Sequence, residues 1–208
     1  MKIKSVVYPI IFINIGVFIL QLVLGSWFTD LLVLKQFDIM ARPWTLLTSM
    51  FLHGGFNHIL FNMYVMFMFG PFVEQRIGPK RFLMVYFISG LLAAFVSQFI
   101  YPAALGASGA IMGMIGVMII LLPKLRILFF FIIPMPLWIA GIVIAVIDIF
   151  GVFVPNGTAN VAHLVGMGLG LLFGLYYKSK RKKFHKRFHK KKHMDEDDID
   201  EYVRSGRI

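Results

Sequence analysis

A serine set among small residues, three histidines and an asparagine are the groups in this chain that could carry out a reaction. Ser108 stands in Gly106-Ala107-Ser108-Gly109-Ala110, between the turn Tyr101-Pro102-Ala103-Ala104 and an apolar run from Ile111 to Leu122. A hydroxyl at that point either caps a helix or acts as a nucleophile. As a nucleophile near neutral pH it needs an adjacent base, and an imidazole titrates in the right range. His163 is the candidate base, four residues into the last apolar run. An acyl-transfer site also needs hydrogen-bond donors for an oxyanion. His58 and Asn62 are four apart, so a helix carries them on one face, one turn apart. The Ser108 amide, at the start of a helix where N–H groups lack intrahelical partners, is a further donor.

The elements that must position these groups are apolar and long. Of the 208 residues, 59% are hydrophobic, and mean hydropathy is +0.80. Charge gathers at the ends and leaves long neutral runs, the pattern of a polytopic, all-α membrane protein. There is no cysteine, so disulfides and thiolate metal sites are excluded. Six segments approach the ~20 residues that cross ~30 Å of hydrocarbon. They run over 7–28, 57–73, 82–101, 107–122, 127–148 and 160–177. The first is too long for a signal peptide and is read as a retained span. Residues 1–177 thus form one six-span membrane domain, and 178–208 a basic, then acidic cytoplasmic tail expected to be disordered.

Orientation follows from Lys and Arg. Six spans place the termini and connectors 2–3 and 4–5 on one side, which then carries 19 of the 21 basic residues. The other side keeps Lys35 and Arg42. The termini are therefore expected in the cytoplasm. The net charge of +11 comes mostly from the tail. The tail is read as a partner of anionic lipid headgroups. Nucleic-acid binding is set aside, because no folded basic domain is present.

Even-numbered spans all begin on the outer side. His53 and His58 lie at the opening of the second, Ser108 opens the fourth, and His163 lies near the start of the sixth. These groups share one level in the membrane although they are far apart in sequence. Polar groups at membrane depth are costly unless paired or facing a cavity. The fourth segment spans only ~24 Å as a helix, so Ser108 should be recessed below the outer surface. Gly109 and Gly113, with Gly166, Gly170 and Gly174, give small-xxx-small faces on which the fourth and sixth segments would cross closely. That crossing would bring His163 to Ser108. Asp148 lies near the outer end of the fifth segment, but a Ser-His dyad without a carboxylate is the preferred reading. Zinc held by His53, His58 and His163 is disfavoured, since no His-Glu-x-x-His signature is present and Ser108 would go unexplained. Pro134-Met135-Pro136 is expected to kink the fifth segment and to make it a gate for a substrate arriving sideways.

With these residues in place, the chain resembles the rhomboid family of intramembrane serine proteases over roughly residues 40–175. The resemblance rests on His53-Gly54-Gly55-Phe56-Asn57-His58-Ile59-Leu60-Phe61-Asn62, Glu74-Gln75-Arg76-Ile77-Gly78, Gly106–Gly109 and Ala162-His163-Leu164-Val165-Gly166. It implies a six-helix bundle whose connector 29–56 is a membrane-embedded loop carrying Trp44. It implies Ser108 as nucleophile, His163 as general base, and His58 and Asn62 as oxyanion donors with the Ser108 amide. Gly106, Gly109, Met112, Gly166, Glu74 and Arg76 would be structural supports, the last two at the cytoplasmic end of the second span. Substrates would be single-span membrane proteins cut in or near the transmembrane segment, without cofactor or metal. A bacterial cell membrane is the expected setting. Two positions depart from the family pattern. Met112 stands where many members carry an aromatic that packs on the imidazole. Trp44-Thr45 stands where a Trp-Arg pair is common, so any role of that arginine in loop anchoring would be absent or pass to Arg42. The alternative is a weak or inactive homologue that binds transmembrane segments. A small transporter is disfavoured, because paired interrupted helices and midplane charges are missing.

Overall fold

A computed structural model describes residues 5–129, 132–154 and 157–188. The first helix, α1 (Val7–Leu24), ends at Gly25, whose φ of 77° lies in the left-handed region that glycine adopts without strain. The segment expected over 7–28 is therefore two pieces, with a short α2 (Ser26–Leu32) after the break. The connector that follows holds a two-residue strand β1 (Leu34–Lys35) and one turn of helix, α3 (Thr45–Thr48), which runs into a 3-10 turn over Ser49–Phe51. Helix α4 (Phe56–Ile77) and helix α5 (Pro79–Ser97) are separated by Gly78 alone, at φ 83°. Pro79 sits at the first position of α5, where its missing N–H would have had no partner.

Strand β2 (Ala103–Ala104) pairs antiparallel with β1, joining Leu34 to Ala104 and Lys35 to Ala103. The first connector is thereby tied to the loop that precedes Ser108. Helix α6 (Ser108–Leu121) follows, and α8 (Asn160–Phe188) closes the bundle. Helix α6 is the centre of the molecule. It packs on α4, α5, α8 and the helix before α8, and its residues from Gly113 to Met118 are all buried.

The fifth apolar segment is not one helix. Strand β3 (Arg126–Phe129) pairs antiparallel with β4 (Ile133–Pro136), and helix α7 runs only from Leu137 to Phe153. Pro134 and Pro136 are the reason. Neither can donate a helical hydrogen bond, and each disfavours helical backbone at the residue before it. Pro136 adopts φ −63° and ψ 143° and stands as the residue before the first turn of α7. These prolines therefore delimit the helix rather than kink it, and the gate expected from a kink at that place has no basis. The C-terminal end of α7 is correspondingly later than expected, so Asp148 falls inside the helix.

Among the described residues, four helices are long and apolar enough to cross a membrane: α1, α4, α5 and the Asn160–Lys180 part of α8. Helices α6 and α7 are apolar but shorter. Large apolar side chains such as Phe12, Leu22, Val23, Phe150 and Phe153 face outward. The interior meanwhile holds Asn14, Ser89, Gln98 and Asp148. This distribution suits a hydrocarbon solvent rather than water. Helix α8 continues past the domain boundary expected at 177 as far as Phe188. The rest of the tail, including its acidic stretch, lies outside the described residues.

Near the opposite end of α4, Glu74 accepts hydrogen bonds from the Ser5 hydroxyl and from the Val6 N–H at 2.8 Å. It supplies from another helix the cap that α1 lacks in its own sequence. It is turned to α1 rather than to Arg76. Glu74→Ala should lower stability by about 1 kcal/mol, read as a lower melting temperature in detergent.

Candidate active site

Ser108 is the first residue of α6, so its own N–H and those of Gly109 and Ala110 have no intrahelical acceptor. The approach to it is fixed by Gly106. The Gly106 N–H donates to the Ser49 carbonyl at 2.9 Å, and its φ of 121° suits only glycine. A Cβ at Gly106 would stand 2.8 Å from His58 Nε2 and 3.9 Å from Ser108 Oγ. One point in space beside Gly106 is thus within 4 Å of both groups.

His58 lies in the first turn of α4 and Asn62 one turn on. The Gly54 N–H donates to His58 Nδ1 at 3.3 Å. With Nδ1 accepting, the neutral ring carries its proton on Nε2, the atom beside Gly106. Asn62 is buried, and its amide nitrogen has no partner among the described residues. Two donors therefore remain unspent on one face of α4.

His163 reaches this place because α6 and α8 cross with backbone against backbone. A Cβ on Gly166 would overlap the Gly109 carbonyl, and one on Gly170 the Gly113 carbonyl. Gly116, not singled out by spacing alone, lies against the Met167 carbonyl in the same seam, while Gly174 faces the Ile120 side chain. The start of α8 is held by Tyr101, whose hydroxyl oxygen accepts from the Val161 N–H at 3.0 Å. The His163 ring is not alone. Its Nδ1 lies 3.0 Å from Oδ1 of Asp148, a buried residue on α7. The sequence favours a dyad without a carboxylate; the structure places a buried carboxylate behind the imidazole. An ionised carboxylate at that position would accept from an Nδ1–H, and the neutral ring would then keep its lone pair on Nε2. In that arrangement His58 would offer a proton and His163 could take one.

Ser108, His163, His58, Asn62 and Met112 line one cavity of about 1180 Å³. The cavity continues between α4 and α7, where Phe61, Val65, Ile144 and Val152 give it apolar walls. Met112 is one turn into α6 and belongs to the same cavity lining as Ser108 and His163.

A family model described as the rhomboid domain matches residues 40–180. The chain belongs to the rhomboid family. It is 30% identical over 185 residues to the mitochondrial rhomboid protein 1 of Saccharomyces cerevisiae, covering 83% of this chain and 53% of that protein. It is 30% identical over 177 residues to the rhomboid protease GlpG of Klebsiella pneumoniae, covering 79% of this chain and 60% of that protein. It is also 36% identical over 110 residues to the rhomboid protease GluP of Bacillus subtilis, covering 49% of this chain and 21% of that protein. The chain spans less than two thirds of each of these relatives. Family and apolar helices together make it an integral membrane protein.

The first connector of this rhomboid is anchored without an arginine after Trp44. Arg42 pairs with Asp38 and donates to the Asp30 carbonyl at 2.8 Å, while Trp44 Nε1 donates to the Leu31 carbonyl at 3.2 Å. His53 supports the loop through its backbone rather than its ring. Its N–H and carbonyl bond the Gln21 side chain at 2.9 and 3.2 Å. The ring packs edge-on against His58, with centroids 5.0 Å apart. Burial, reinforced by His58, lowers its pKa to about 4, so it is neutral at pH 7. Among the described residues no three His, Asp or Glu side chains converge as a metal site requires. Gln21 and Tyr101 carried no local signal, because each acts on a residue of another element.

Proposed function

We propose that this rhomboid is an intramembrane serine endopeptidase that cuts membrane proteins in or near their transmembrane segments. The observation that carries the reading is one cavity lined by a helix-start serine, an imidazole and two unspent donors. Ser108 Oγ attacks the scissile carbonyl as its proton passes to His163 Nε2. The oxyanion is received by the Ser108 amide, His58 Nε2–H and the Asn62 amide. His163 then returns the proton to the departing amine, and water releases the acyl group by the same route in reverse. A Kd-scale role in holding transmembrane segments without cutting them is the competing reading, and the intact set of groups favours cleavage.

All six apolar helices are proposed to span the bilayer, α6 doing so as a short helix at the centre of the others. Its 14 residues reach about 21 Å, so Ser108 lies below the outer surface, in water held by the cavity. The concentration of Lys and Arg on one side supports cytoplasmic termini. The apolar walls between α4 and α7 suit a single-span substrate arriving from the lipid. Residues 178–208 are proposed to touch anionic headgroups through their basic half.

A serine-directed fluorophosphonate should label the protein in detergent, and labelling should vanish with Ser108→Ala. Labelling that persists in that variant would remove the nucleophile from the reading. The donors have their own signature: Asn62→Ala and His58→Ala should each lower kcat by roughly 10²-fold while leaving KM for a model single-span substrate nearly unchanged.

A further inference from the structure

The interior of α7 carries a carboxylate that the proposed steps above do not use. Asp148 is buried, with only 5% of its side chain exposed, inside a helix that is otherwise apolar. Its Oδ1 lies 3.0 Å from His163 Nδ1, and its Oδ2 has no partner among the described residues. A buried carboxylate is expensive to desolvate, and a tie between two helices can be made more cheaply by a neutral amide. What an amide cannot do is accept without also being able to donate. Asparagine at 148 can turn its NH2 toward Nδ1 and so drive the ring proton to Nε2, the wrong atom for a base. An ionised carboxylate only accepts.

We propose that Asp148 is a positioning residue for the reaction: its carboxylate, borne on α7, fixes the His163 ring in the orientation and tautomer that leave Nε2 free to take the Ser108 proton. This rests on the protease reading. Asp148 keeps its negative charge throughout. The proton that leaves Ser108 Oγ as the Oγ–C bond forms resides on His163 Nε2, while the Nδ1 proton stays in the bond to Asp148. The imidazolium is thus faced by an anion until Nε2 gives its proton to the leaving nitrogen and the C–N bond breaks.

The test compares wild type, Asp148→Asn, Asp148→Ala, Ser108→Ala and His163→Ala on a model single-span substrate in liposomes. Asp148→Asn should reduce kcat by roughly 10²-fold with KM unchanged. That is short of the ~10⁴-fold loss seen when the carboxylate of a soluble triad is replaced, because the α6–α8 seam already places the ring. A kcat within two-fold of wild type in both Asp148 variants, with Ser108→Ala and His163→Ala inactive, would overturn the proposal and leave the protease reading standing. Cleavage by none of the proteins, wild type included, would overturn the protease reading and this proposal with it. A second measurement needs no Asp148 variant. In ¹⁵N-histidine spectra at pH 8, the His163 signal, assigned by its loss in His163→Ala, should show a protonated Nδ1 and an unprotonated Nε2. A ring protonated mainly on Nε2 in the wild type would overturn the proposal even if the Asp148 variants fail to fold.

Discussion

Ser108→Ala and His163→Ala should each reduce cleavage of a single-span substrate in liposomes by at least ~10⁴-fold, and the double variant should be no worse than either alone. The reason for the non-additivity is chemical. The hydroxyl without the base is a poor nucleophile, and the base without the hydroxyl has nothing to activate. Any turnover that remains is what donors at Asn62, His58 and the helix start can stabilise by themselves. Both side chains are small contributors to packing on the wall of a cavity. The melting temperature should therefore stay close to wild type in Ser108→Ala and fall in His163→Ala, which leaves the buried Asp148 carboxylate without its partner. Three proteins that cleave equally would end the protease reading, and two losses that multiply would show that the groups do not act as one unit.

The second large effect is on the frame. Gly166→Ala and Gly170→Ala should each destabilise the protein by about 3 kcal/mol, at the upper end of ordinary overpacking. In both cases the new methyl group would overlap a backbone carbonyl of α6, at Gly109 or Gly113. A main-chain atom has no rotamer into which to retreat, so the two helices must move apart. Gly168 is the control, since a Cβ there meets nothing within 4 Å. Gly168→Ala should be neutral or slightly stabilising, as alanine is the better helix former. Thermal unfolding in one detergent checks all three. Cleavage should follow the same division, because a separated seam carries His163 away from Ser108. An unchanged melting temperature in Gly166→Ala would mean that the crossing is looser than described.

Much of this arrangement was legible in the sequence because it is written in local spacing. A separation of four put His58 and Asn62 on one face of α4, and the glycine repeats marked the seam between α6 and α8. The start of α6 at Ser108 followed from a proline turn and small residues ahead of an apolar run. The pairing of β3 with β4 was not legible. Its residues are as apolar as a membrane helix, and hydropathy cannot tell an apolar strand pair from an apolar helix. Only the chemistry of Pro134 and Pro136 separates the two, and it was read as a kink rather than as a boundary. Asp148 is visible as a lone charge in an apolar run, but its partner is not. Fifteen residues and a helix–helix connection separate it from His163, and nothing in one sequence reports where two such elements meet. Arg42 was readable as the substitute anchor because Thr45 leaves the usual position without a charge, but its partners Asp38 and Asp30 required coordinates.

The pairing of Asp148 with His163 joins two different helices, and only one of them borders the apolar side of the cavity with α4. Any outward swing of α7 that widens this side also withdraws the carboxylate from the ring. A displacement of α7 and the loss of the ring's partner are therefore a single event rather than two.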